Sequence, residues 1–215
     1  METSAQIQEL ISRSEKVKSL LADIQQNADE LLAGLKLLHE TVPASTTVVF
    51  GQQNPIWSKD FMGTGGGTIG RYGCLMCCLA SILANAGYDT DPRRLNNWLN
   101  KNGGYQPGSA NLASFSSIEF FNVVKLIRPV LFTTGPVPFD KISATIRAGG
   151  YATIMVDFNG QPHTKESDVA MHWVRWLDDK ANIMDPWLGQ VMPLSPRYGK
   201  DANSAIWRVA LYNKM

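Results

Sequence analysis

The chain has 215 residues, 44% of them hydrophobic, with 18 glycines and 11 prolines, enough for one sizeable domain with a real core plus an extension. Its 20 basic against 19 acidic residues leave a formal charge of +1, which argues against broad electrostatic attraction to nucleic acid or to an anionic membrane. No run of 18 or more uncharged apolar residues occurs, so no membrane span is expected.

Residues 1–43 differ in character from the rest. They hold no aromatic residue and one glycine, Gly34. Apolar or small residues recur in steps of three and four: Ile7, Leu10, Ser14, Val17, Leu21, Ile24, Ala28, Leu31, Leu35 and Leu38. That alternation is the a/d seam of a coiled coil. Ile11, Leu20 and Leu32 flank the seam and widen it. The width suits three or more strands, or a helix lying on its own globular domain. The expected partner is another copy of the chain, with a trimer favoured, because an apolar stripe of this length needs cover. Pro43 ends the predicted helix, and ASTTVV reads as a linker entering a strand. The start, METSAQIQELISRSEK, lacks a basic n-region and an apolar core. No signal peptide is therefore expected, and synthesis is expected in the cytoplasm.

Residues 44–215 read as one α+β domain. TTVVF is a predicted short strand, and 54–73 a long glycine-rich loop. A helix follows over 74–87, closed by Gly87. Asp91 and Pro92 open a second helix that ends at Gly103. Residues 117–128 fit a helix or a helix–strand pair. Asp140 is the expected cap of the helix in DKISATIRAGG. YATIMVDF, VAMHWVRWL, KANIMDPW and AIWRVALY are rich in β-branched and aromatic residues and read as strands. Helices lead and an antiparallel sheet follows.

Three cysteines fall within five residues, CLMCC. A disulfide framework spreads its cysteines, so these thiols are expected to be reduced, and either buried or reactive. One short helix cannot wrap a tetrahedral ion, and no second CxxC or HxxxH element exists. No metal and no cofactor are expected. GTGGGTIGRYG lacks the Gly-Lys-Ser/Thr ending of a phosphate loop.

Cys74 opens its helix where the glycines stop. A helix N-terminus favours the thiolate, which is the nucleophile. Cys77 and Cys78 come three and four residues later and read as core. Of the three histidines, His39 belongs to the N-terminal helix and His163 to a polar loop, whereas His172 enters an apolar strand, HWVRWL. Asp185 ends the next strand before Pro186. Two neighbouring strands could set His172 as base and Asp185 as its orienter beside Cys74. An oxyanion also needs a donor besides the Cys74 N–H, and Gln53 is the expected side chain, ahead of Gln52.

At QQNPIW, TIGRYGCLMCCLASILANAGY, DPRRLNNWLNKNGGY, GGYATIMV, HWVRW and IMDPWLG, the chain resembles the papain-like cysteine peptidases, in the branch of the bacteriocin-processing (double-glycine leader) peptidases. The likeness spans about residues 50–190. It implies a papain-like fold, a nucleophilic Cys74, a general base His172, an orienting Asp185 and a glutamine donor near Gln53. The glutamine stands 21 residues before the cysteine, farther than in papain-like enzymes. Cys78 is an additional thiol. Similar domains occur in bacterial cell-wall enzymes and in bacteriophage virion proteins. The resemblance thus implies a peptide or amide hydrolase, with peptidoglycan cross-links one substrate class. The alternative is a catalytically silent virion component that keeps the fold.

Overall fold

A computed structural model describes residues 2–41, 47–132, 135–161 and 168–215. The chain divides into two units, 1–46 and 47–215.

The first unit is one helix, α1 (Glu2–Thr41), of 40 residues, about 60 Å long at 1.5 Å per residue. No glycine before position 34 and no proline interrupts it, as helix propensity requires. Side chains one turn apart join along its surface: Arg13 with Glu9 at 2.6 Å, Gln25 with Asp29 at 3.1 Å and Gln26 with Glu30 at 2.9 Å. The apolar seam residues Ile7, Leu10, Val17, Leu21, Ile24 and Leu31 are exposed, as are Ile11, Leu20 and Leu32. The side chains of Leu35, Leu38 and His39 lie outside the described residues, as does Pro43.

In the second unit, helices lead and an antiparallel sheet follows. Residues 47–50 are not the strand expected of TTVVF. Their backbone bonds instead to side chains of the core helix: Val48 N donates to Asn85 Oδ1 at 3.1 Å, and Ser81 Oγ donates to Val48 O. The glycine-rich stretch is also more ordered than a loop. It holds a small hairpin, β1 (Phe61–Met62) against β2 (Gly67–Thr68), and a one-turn helix, α2 (Ile69–Tyr72). Next come α3 (Cys74–Asn85) and α4 (Pro92–Lys101). Asp91 caps α4 by accepting from Arg94 N. The i,i+4 pair Asn96 and Asn100 on α4 donates to Phe61 O, and Asn100 Oδ1 accepts from Gly63 N. Those bonds explain why the hairpin is ordered.

A 3-10 helix (Phe115–Phe121) leads into β3 (Val124–Phe132), which resolves residues 117–128 as a helix–strand pair. α5 (Phe139–Arg147) starts one residue before the expected cap, so Asp140 sits in its first turn and Pro138 at the cap. There the carboxylate still favours the helix dipole. The remaining strands are β4 (Tyr151–Asp157), β5 (Met171–Trp176), β6 (Asn182–Asp185), β7 (Gln190–Pro193) and β8 (Ile206–Lys214), with a short α6 (Ala202–Ala205) before β8. The sheet order is β3-β8-β4-β5-β6-β7, and every pairing is antiparallel.

Both faces of the central strands are covered. On β4, Ala152, Ile154 and Val156 pack with Ile142 of α5, while Tyr151 joins the core around α3. α3 is apolar over most of its surface, with Ser81 and Asn85 the exceptions, and residues from Met76 to Leu83 are buried, as a helix inside a core must be. Arg175 of β5 ties the sheet to this helix. Its guanidinium bonds Ser81 O at 3.2 Å, Ser81 Oγ at 2.7 Å and Asn85 Oδ1. The tie fixes the last turns of α3 against the end of β5.

Candidate active site

Cys74 is the first residue of α3. Gly73 at the cap has no side chain to satisfy the first N–H groups of the helix, so those donors and the positive dipole end bear on the thiol. The close α2–α3 turn requires glycine: a Cβ on Gly73 would meet Ile69 O at 2.5 Å.

His172 is the second residue of β5 and shares its face with Val174 and Trp176. Asp185 ends β6 on the face of Ile183. The β5–β6 register pairs Trp176 with Ile183, so the two side chains meet diagonally across neighbouring strands. His172 Nε2 and Asp185 Oδ1 are 2.9 Å apart. With Nε2 so engaged, Nδ1 is the ring nitrogen left for the thiol, and the Cys74 thiol and the His172 ring interact and line the same cavity. Cys74, His172 and Asp185 thus form one line running from a helix start to a strand end.

The acid is held from three sides. Oδ1 also accepts from Trp187 N at 2.9 Å, and Oδ2 accepts from Tyr198 Oη at 2.6 Å. His172 and Asp185 are both buried. The His172 ring lies edge-on to Phe158 at 5.5 Å and tilted against Tyr198 at 5.5 Å.

Electrostatics follow from these contacts. Burial alone would push the Cys74 thiol up, but its hydrogen bond to His172, the charge of that ring and backbone bonds from Trp173 and Leu75 hold it below its ordinary 9.0. Burial works against a charged His172, yet Asp185 and Cys74 override it and raise the ring to about 9. Burial likewise opposes the Asp185 carboxylate, and the bonds from His172 and Tyr198 hold it below its ordinary value. The favoured state is therefore thiolate beside imidazolium. Cys77 and Cys78 differ: burial pushes both thiols well up, and the charge of Cys74 adds to it.

Cys74 and His172 open onto a cavity of about 690 Å³. Its walls are mainly apolar, with Met62, Leu112, Phe158, Trp173 and Trp187 among them. Arg71 is the cation on the rim. It is exposed, lies 5.2 Å over the Tyr72 ring and has no ion pair among the described residues.

The structure places the two candidate oxyanion donors, Gln53 and Gln52, differently. Gln53 is exposed and does not line the cavity; its amide donates to Gly70 O at 2.6 Å. Gln52 lines the cavity and is 1% exposed. Gln52 N donates to Pro186 O at 2.7 Å, which turns this residue inward and its neighbour outward. Its Nε2 donates one bond to Gly70 O at 2.9 Å, which leaves a second N–H. Its Oε1 is buried without a partner among the described residues. His163 lies outside the described residues. Sequence reasoning missed Phe158, Trp187 and Tyr198. Trp187 could have been suspected from its place beside Asp185, whereas nothing local marks Tyr198. Among the described residues no group of histidine, cysteine and acidic side chains could hold a metal.

No protein-family model matches the chain, and no curated protein does. A solved chain from Bacillus anthracis described as a "putative C39-like peptidase" is similar at 16% identity and a TM-score of 0.46, over 80% of this chain and 96% of that one. At that distance the likeness says nothing of activity.

Proposed function

We propose that residues 47–215 form a papain-like cysteine hydrolase that cleaves peptide or amide bonds through Cys74, His172 and Asp185. The observation that carries this reading is that Cys74 and His172 line one cleft while His172 Nε2 meets Asp185 Oδ1 at 2.9 Å behind it.

The chemistry runs as follows. The Cys74 thiolate attacks the carbonyl carbon, and the oxyanion meets the Cys74 N–H and the free amide proton of Gln52. One such donor is worth roughly 10²–10³-fold in rate. His172 protonates the leaving amine through Nδ1 as the tetrahedral species collapses to a thioester. Water then enters, gives its proton to His172 and attacks the thioester. Collapse releases the acid and restores the thiolate. Asp185 keeps the ring oriented and stabilises its cationic form. The apolar walls favour substrates with a bulky apolar side chain beside the scissile bond, and Arg71 favours an anionic group over a cationic one at the rim.

Among amide substrates, peptide cross-links of peptidoglycan fit the resemblance carried by the sequence, and a virion-borne enzyme fits a helix with an exposed apolar seam ahead of the domain. That helix is also the observation that favours the second reading, an assembly component whose site is silent. Turnover separates the two. The full chain is incubated with a peptide library and with purified peptidoglycan, and new amino termini are read by mass spectrometry. New termini that vanish with Cys74→Ala, and fall about 10²–10⁴-fold with His172→Ala, support the hydrolase. No turnover of either substrate above the Cys74→Ala background leaves the assembly component.

A further inference from the structure

Outside the Cys74–His172–Asp185 line, one buried polar side chain touches two of its members at once. Tyr198 is 1% exposed. Its phenol donates to Asp185 Oδ2 at 2.6 Å, and its ring lies 5.5 Å from the His172 ring. A buried phenol needs an acceptor, and any backbone carbonyl would serve. Here the acceptor is the oxygen of the acid that His172 does not use. The segment carrying it is braced: Tyr198 N bonds Leu194 O at 3.1 Å, and Ser195 Oγ donates to Gly199 O and Lys200 O, both at 2.7 Å.

We infer that Tyr198 is a positioning residue for the proposed hydrolase, fixing the Asp185 carboxylate so that Oδ1 faces His172. The inference rests on the hydrolase reading. A carboxylate turns about its Cβ–Cγ bond, and three donors on two oxygens leave it one orientation. Asp185 is fully buried, so bulk solvent does not screen its charge. Removing the phenol takes away one of three donors and raises the carboxyl toward protonation. A neutral Asp185 cannot sustain the His172 imidazolium, and without that cation the Cys74 thiolate loses its partner. The titratable and charged groups facing this cluster are Cys74 and Cys78 from α3, His172 from β5 and Arg197 from the segment before α6, whose guanidinium lies 5.2 Å over the Tyr198 ring. Tyr198→Phe removes the donor alone and keeps the ring between His172 and Arg197.

The test needs no substrate. Cys74 alkylation by iodoacetamide is followed against pH on the full chain, with peptide mapping. In the unaltered protein Cys74 is expected to react below the pH of an ordinary thiol. In Tyr198→Phe the acid limb moves up by about one pH unit, while reactivity above pH 9 stays the same. A role confined to folding would lower the thermal midpoint and leave the two pH profiles superimposed, and that outcome overturns the inference. A second measurement covers a poorly folding Phe variant. 3-Fluorotyrosine at position 198 is a stronger donor of the same shape and moves the acid limb down; an unmoved limb overturns the inference. If Cys74 of the unaltered protein titrates as an ordinary thiol, the hydrolase reading fails first and the Tyr198 role with it.

Discussion

Position on one helix separates three chemically identical side chains. Cys77 and Cys78 are sealed in the core and their thiols are pushed well up, whereas Cys74 is half-buried at the helix start and held low. Brief alkylation of the native protein at neutral pH is expected to modify Cys74 at least tenfold faster than either neighbour, as read by peptide mapping; equal labelling would remove the nucleophile. The signs of the shifts also set a pH window. The thiolate persists as pH falls until its lowered value is crossed, and the imidazolium persists as pH rises until about 9. Amide hydrolysis, which needs both, is expected to fall on the alkaline side near pH 9 and on the acid side below the usual thiol range. Because the folded value of His172 is raised, its contribution to stability is whole below the ordinary 6.5 and is lost as pH rises through about 9. The adjacent glutamines supply a paired control. Gln52→Ala is expected to lower kcat by roughly 10²–10³-fold and Gln53→Ala to leave it within about twofold, measured on one substrate at saturation.

At the scale of elements, the junction of α2 with α3 decides where the nucleophile stands. Gly73 N bonds Ile69 O at 2.8 Å, and the same carbonyl would be struck by a Cβ at position 73. Backbone cannot yield as a flexible side-chain tip can, so Gly73→Ala must move the start of α3. The expected result is a loss of about 1–3 kcal/mol in stability and a drop approaching 10²-fold in kcat/KM, with the helical content of the domain retained. Thermal melts and kinetics on the variant read the two effects separately; normal kinetics would show that the start of α3 tolerates displacement. The two strands of the site depend less on a single residue. β5 and β6 are short, but β5 is locked to β4 over six pairs and to α3 through Arg175. That bracing lets a hydrogen bond of 2.9 Å survive at their ends.

At the scale of the whole molecule, α1 and the domain are separate units and pose separate questions. The domain has its own cores on both faces of its sheet. α1 carries exposed leucines and isoleucines along most of its described length. Covering each leucine contributes about 1.5–3 kcal/mol, so several aligned layers exceed the roughly 4–15 kcal/mol cost of association. The full chain is expected to self-associate, with a trimer favoured, and a chain lacking residues 1–43 is expected to be a monomer with an intact domain. Light scattering on both proteins checks this; a monomeric full-length chain would end the coiled-coil reading and weaken the virion setting.

What could be read from the amino-acid order was whatever local pattern encodes. The α+β order, the long helix, the placing of Cys74 at a helix start and of His172 and Asp185 on successive strands follow from 3.6- and 2-residue periods and from Gly and Pro punctuation. These are properties of neighbours in sequence. Tertiary structure decided the rest, because there the relevant partner lies far along the chain. Pro186 O turns Gln52 inward and Gln53 outward, a choice that two adjacent glutamines cannot reveal. Ser81 and Asn85 take the backbone bonds that TTVVF would have spent in a sheet. Asn96 and Asn100 order a hairpin in a stretch whose glycines read as loop. Tyr198 reaches Asp185 from a turn with no pattern of its own, since a single side chain meeting a buried acid leaves no period in the sequence.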